Sequence, residues 1–179
     1  MTVQKSERKR IVFGQALQRR LHEPALGPRE EGFEFRFETF QDLKSSLVRI
    51  FGVSARVIIY DAGIDPGRRS YSRMVRDSLS REDALKLLVQ RKASQNWGRI
   101  NIESIDWQAK SGRISVEDSF EARGATVQSP KEPSCSCDFF KGYVAGFFSE
   151  LLAAEVAVRE ERCVAMGNER CEFEFKACP

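Results

Sequence analysis

Apolar and polar residues alternate over residues 32–37, where Phe33, Phe35 and Phe37 are separated by Glu34 and Arg36. This pattern predicts a half-buried strand. Thr39 with Asp42 three residues later approximates a capping box. Phe40, Leu43, Leu47, Val48 and Phe51 then fall on one helical face, and Gly52 supplies the stop. Residues 55–60 predict a second strand, residues 61–67 a loop with Pro66 and Gly67, and residues 68–78 an arginine-rich helix. Ser80 and Asp83 open another helix through Ala84, Leu85, Leu88 and Val89. Strands over 98–107 and 113–120 read as a hairpin joined at Lys110, Ser111 and Gly112, with Gly112 expected to take a positive φ. Residues 121–136, with Pro130 and Pro133, predict a loop. Residues 137–153 are helical in period and apolar on nearly every face, which places this helix in the core or at a subunit interface. Strands over 155–158 and 171–175 follow. The fold class is α+β, an antiparallel sheet packed with helices.

The length of 179 residues suits one domain with a core of its own. We divide the chain into a basic N-terminal segment, 1–32, and a single domain, 33–179. The segment carries Arg8, Lys9, Arg10, Arg19 and Arg20, and its Pro24, Gly27 and Pro28 mark a loop. A net charge of +3 gives no reason to expect direct binding of nucleic acid. No apolar run approaches the ~20 residues of a membrane span, and the polar, basic start is not a secretory signal. Five cysteines, an odd number gathered at one end, fit reduced thiols and a cytoplasmic protein better than a disulfide framework.

Cys137, Glu160, Cys163 and Cys171 are the candidate metal ligands. Cys137 stands at a helix start, where free N–H groups favour a thiolate. Cys163 and Cys171 bracket a short turn whose antiparallel flanks bring its ends together. Glu160 reaches the same point if its strand bends or bulges. Three soft thiolates and a carboxylate exclude magnesium and calcium and suit zinc in a closed, structural site. On spacing alone, buried free cysteines are an alternative, and Cys135 or Cys178 can stand in for Glu160. Arg159, Arg162, Arg170 and Lys141 are near enough in sequence to offset the negative charge.

Cys137 through Gly146 and Glu160 through Phe173, together with Val116 through Phe120, resemble the 4-vinyl-reductase, or hydrocarbon-binding, domain family. The resemblance covers residues 113–176 and continues more weakly upstream. That family includes sensor domains of aromatic-responsive bacterial regulators and is distantly similar to TRAPP tethering subunits. It implies the zinc ligands Cys137, Glu160, Cys163 and Cys171, and a close helix approach at Gly142 and Gly146. It also implies a homodimer and an internal apolar pocket between sheet and helices. The matching pocket positions are Trp97, Trp107, Ile114, Val116, Phe139, Phe140 and Tyr143. Phenol-sensing relatives hold a hydroxyl with a Trp/His pair. Here position 116 is Val and the single histidine is His22, which points away from phenol.

The reading is a zinc-stabilised, stand-alone module that binds or senses a hydrophobic or aromatic small molecule and acts through a partner or its dimer. A tetrapyrrole carrier or 4-vinyl reductase accessory is one alternative, and a protein-interaction subunit is another. A reductase needs a hydride source, yet no dinucleotide fingerprint occurs, and Tyr143 is only a formal general acid. No residue is assigned a catalytic role.

Overall fold

The structure, a computed structural model, describes residues 35–75, 80–128 and 135–179. The basic segment 1–32 lies outside these residues. The described residues form five α-helices and four strands: α1 (Phe37–Phe51), α2 (Ser54–Val75), α3 (Arg81–Ser94), β1 (Arg99–Asp106), β2 (Ser111–Glu117), α4 (Phe120–Gln128), α5 (Asp138–Leu152), β3 (Val156–Arg162) and β4 (Cys171–Ala177). The fold is α+β. The strands make one sheet in the order β1-β2-β4-β3, with every neighbouring pair antiparallel. None of the described helices is long and apolar enough to cross a membrane.

Four expectations change. Phe35 and Arg36 lie outside any strand, and Phe37 already opens α1. Its N-cap is Arg36, without a side-chain cap bond, so Thr39 and Asp42 do not start the helix. The face of α1 turned inward carries Gln41 and Lys44, while Leu43, Val48 and Phe51 are exposed. Residues 55–60 and 61–67 are neither strand nor loop but the first half of α2. The buried positions Ala55, Ile59, Gly63 and Gly67 recur every four residues, a helical period, which outweighs the β-branched Val57, Ile58 and Ile59. Much of 121–136 is helical too, as α4. In the hairpin, Lys110 holds the positive φ of 49°, and Asp106 accepts the N–H groups of Gln108 and Ala109. Gly112 is inside β2, where a Cβ would strike the Ser104 carbonyl and the Phe175 ring.

Other expectations stand. Ser80 caps α3, its hydroxyl accepting the Asp83 N–H at 3.1 Å. Gly52, at φ 61°, ends α1. Helix α5 lies in the core, buried on nearly every face, and so is not free to serve as a partner surface. Phe140 and Phe148 pack onto Phe173 and Phe175 of the sheet, with ring centroids 5.3 and 4.0 Å apart.

The other side of α5 meets α2 through four glycines. A Cβ on Gly63 or Gly67 would strike the carbonyls of Phe139 and Tyr143, and one on Gly142 or Gly146 those of Tyr60 and Ile64. The two backbones touch, and both sides of the seam are closed to any side chain. Gly124 differs: its nearest neighbour is the flexible Gln41 Oε1 at 3.3 Å. We expect Gly142→Ala to cost more than about 2 kcal/mol in urea unfolding through overpacking. Gly124→Ala should stay within about 1 kcal/mol of the parent, because the helical gain of Ala offsets a small adjustment. Equal costs at both positions would remove the seam as the special constraint.

Candidate metal centre and cavity

The sheet and α5 deliver the four candidate ligands to one point. Cys137 is the N-cap of α5, fully buried. Cys171 opens β4, beside Val116 of β2. Cys163 follows β3 and leads into the 3-10 turn Val164–Met166. Glu160 arrives by the bulge its role required: the β3–β4 register slips between Glu160 and Arg162. All four ligand atoms lie within 4.8 Å of one another. The sulfurs are 3.7 Å (Cys137–Cys171), 3.9 Å (Cys171–Cys163) and 4.0 Å (Cys137–Cys163) apart. A tetrahedron with ~2.3 Å metal–sulfur bonds has edges of about 3.8 Å, so the thiols already stand at tetrahedral spacing. Glu160 Oε2 accepts the Cys137 N–H at 3.1 Å. Its Oε1 is buried and has no hydrogen-bond partner among the described residues. A buried carboxylate oxygen left without a protein partner suits the part of a fourth ligand, since a cation would satisfy it.

Without metal, the cluster concentrates its negative charge on Cys163. Hydrogen bonds from the Cys137 and Cys171 thiols hold Cys163 far below the usual thiol range. Burial pushes Cys137 well up. For Cys171, the bond with Cys137 pulls down, but the bond with Cys163 and burial outweigh it and leave it raised. Burial and the Cys163 charge lift Glu160 to about 9. A metal therefore has protons to displace.

Three side chains outside the cluster fix Cys137, and the sequence pattern had marked none of them for this role. Glu121 of α4, completely buried, accepts the N–H groups of Phe139 (3.1 Å) and Phe140 (2.9 Å), capping α5 from another element. Lys44 of α1 donates to Glu121 and to the Ser136 carbonyl, each at 2.6 Å. Arg56 of α2 grips Asp138 through two nitrogens and donates to the Cys135 carbonyl. A weak signal existed: one acid and two cations at otherwise inward-facing helix positions. The cations proposed from sequence are engaged with nearby carboxylates instead. Arg159 pairs with Glu161 and Glu174, Arg162 with Glu172, Arg170 with Glu103 and Glu172, and Lys141 with Asp138. Cys135 is near but outside the ligand set, its thiol directed at the Glu160 carbonyl, and Cys178 is exposed.

The pocket positions divide. A cavity of about 850 Å³ opens between the start of α1, one face of α2 and the end of α3. Trp97 and Tyr143 line it. Their ring centroids are 4.9 Å apart, and the Tyr143 hydroxyl donates to Ser70 Oγ at 2.6 Å. Phe139 and Phe140 touch Trp97 from behind, within the core. Ile114 and Val116 are buried on β2. Trp107 sits at the β1–β2 turn, with the Arg81 guanidinium 5.9 Å from its ring centroid. The wall is not uniformly apolar. Arg36, Arg69, Arg73, Arg91 and Lys92 line it, with Glu38 as the one carboxylate.

Together, a four-stranded antiparallel sheet, a core helix tied at its N-terminus to a three-cysteine, one-glutamate cluster, and a cavity beside that helix define the class. Residues 113–177 match the 4-vinyl-reductase domain family, and over this segment the chain belongs to it. A search of curated proteins returns no match. Among solved structures, the phenol-responsive sensory domain of the transcription activator PoxR with phenol is similar at 22% identity and a TM-score of 0.74, covering 83% of this chain and 77% of that one. A vinyl-4-reductase family protein from Methanocaldococcus jannaschii is similar at 19% identity and a TM-score of 0.50, covering 83% and 100%. A trafficking protein particle complex subunit 3 from Naegleria fowleri, covalently bound to palmitic acid, is similar at 13% identity and a TM-score of 0.55, covering 80% and 95%. At these identities the likeness is one of fold.

Two outcomes test the cluster. Titration of zinc into metal-free protein near neutral pH should release about three protons, from Cys137, Cys171 and Glu160, with Cys163 already a thiolate. Because protons leave as metal enters, affinity should rise with pH; calorimetry in buffers of different ionisation heat reads the count. A pH-independent affinity would exclude these ligands. Separately, Glu121→Gln should destabilise the fold by roughly 3 kcal/mol, since it leaves the Lys44 charge buried without its counter-ion. An unchanged melting temperature would remove the Glu121–Lys44 pair as the anchor of α5.

Proposed function

We propose that this chain is a small-molecule-binding sensor module stabilised by zinc and acting through a dimer or a partner. The observation that carries the reading is the cavity bounded by Trp97 and Tyr143, of a size typical of ligand sites. The likeness in fold to a phenol-responsive sensory domain supports it. The metal's part is structural in this reading. Cys137, Glu160, Cys163 and Cys171 fill four positions from the protein, and the cluster is buried, which leaves no open coordination position for chemistry. At a thousandfold excess over its Kd, the ion adds about 4 kcal/mol to stability.

The dimer has a candidate surface. Ile50, Phe51, Val53 and Val57, at the end of α1 and the start of α2, are all more than half exposed, Val53 at 84%. Contiguous exposed apolar side chains of this kind mark association sites. This patch supports an interacting module better than α5 does, which is buried within the chain. Nothing in the cavity favours a tetrapyrrole over a smaller ligand.

We expect native mass spectrometry to show one zinc per chain, and the Cys171→Ser variant to lose it and melt lower. A panel of aromatic and acyl compounds should raise the melting temperature of the zinc-loaded protein, and Ser70→Leu, which intrudes on the cavity, should abolish that rise with zinc content unchanged. Light scattering should give a dimer that Val53→Asp converts to a monomer. A parent protein that is monomeric and silent to the whole panel would refute the sensor reading.

A further inference from the structure

We infer that the cavity takes an amphipathic oxyanion, a carboxylate or phosphate carried on an aromatic or acyl body. The inference rests on the cavity being the ligand site and adds the ligand's charge. Three separate segments turn cations into one space. Helix α2 presents Pro66, Arg69, Ser70 and Arg73, spaced three, four and seven residues from the first and so on one face. The last turn of α3 adds Arg91 and Lys92, and Arg36 comes from the start of α1. The whole chain carries a net charge of only +3, so five cations facing a single carboxylate, Glu38, are a local concentration.

Ordinary helix electrostatics accounts for part of this. Arg73 and Arg91 sit in last turns, where the helix dipole favours a cation. It does not account for Arg69, in the interior of α2, or for Arg36, at the positive end of α1. There a cation is disfavoured unless an anion is near. The surface does not neutralise them. Arg69 has only a loose pair with Asp65 at 3.9 Å, both side chains being largely exposed. Arg36 and Arg91 make no ion pair among the described residues.

The aromatic part of the wall is polarised in the same sense. The Lys92 ammonium, on a residue only 6% exposed, lies 3.8 Å from the Trp97 ring centroid and 4.5 Å from that of Tyr143. Its contacts with the ring faces are cation–π contacts. A ligand stacked on Trp97 therefore feels a positive potential from behind, as its headgroup does from Arg69 and Arg91. Arginine forks match both carboxylate and phosphate geometry. A neutral aromatic would fill the volume and leave that field unanswered.

The test is calorimetric titration of the full zinc-loaded chain with matched probes. These are 2-naphthoate, 2-naphthyl phosphate and neutral 2-naphthylmethanol, then decanoate and decanol. We expect the anion of each pair to bind at least ~10-fold tighter than its neutral isostere, a preference that falls as salt rises. In an Arg69→Gln/Arg91→Gln variant with unchanged zinc content and melting, the anions should drop to the level of the alcohols while the alcohols keep theirs. Tighter naphthoate or tighter naphthyl phosphate identifies the headgroup. Equal binding of anion and alcohol, unmoved by the variant, overturns the inference and leaves the sensor reading standing. Silence of every probe on intact, zinc-loaded protein overturns both.

Discussion

The contact on which the rest of the molecule depends is the glycine seam between α2 and α5. Gly63 and Gly67 press on the carbonyls of Phe139 and Tyr143, and Gly142 and Gly146 press on those of Tyr60 and Ile64. With backbone against backbone, the distance between the helices is set by atoms that cannot change rotamer. That distance decides where everything attached to α5 ends up. Its first residues carry Cys137 to the metal cluster, its sheet-facing side drives Phe140 and Phe148 onto Phe173 and Phe175, and Tyr143 arrives at the cavity. On α2, the glycines occupy one side, and Arg69, Ser70 and Arg73 hang from the neighbouring side over the cavity.

A helix end buried in a core needs partners for its free N–H groups. For α5 they come from Glu121, a carboxylate belonging to a different helix, and Lys44 in turn compensates the charge of Glu121. Burial raises the Glu121 pKa, while Lys44 and the two N–H groups oppose the rise. Arg56 and Asp138 form the second clamp on the same turn. The cluster's geometry is thus held partly by polar contacts that involve no ligand atom, as outer groups commonly orient the ligands of metal sites.

How much of this was legible in the sequence depended on how the signal was distributed. The four ligands were readable because cysteine is scarce and the four positions fall within one stretch of the C-terminal third. The bulge at Glu160 was a stated condition, and the register slip meets it. The α3 cap at Ser80 and all four strands were readable from local patterns. The first half of α2 was not. Val57, Ile58, Ile59 and Tyr60 favour a strand locally, and Gly63, Pro66 and Gly67 look like a loop. The tertiary contact with α5 turns those same glycines into a packing surface. The cavity wall was illegible for another reason. Its cations are scattered over Arg36, Arg69, Arg73, Arg91 and Lys92, and only the fold makes them neighbours.

The metal cluster and the cavity sit on one helix. Cys137 and Tyr143 are six residues apart, about 9 Å along the axis at 1.5 Å per residue. Between them α5 is locked on one side by glycine contacts and on the other by aromatic packing. A rigid segment of that length transmits position rather than absorbing it. An ion that fixes Cys137 therefore also fixes the height at which Tyr143 meets Trp97 and the Ser70 hydroxyl. The consequence for mechanism is a division of labour. The closed metal site sets the geometry of the cavity's aromatic wall, and the residues free to respond to a ligand are the long cationic side chains of α1, α2 and α3 on its other walls.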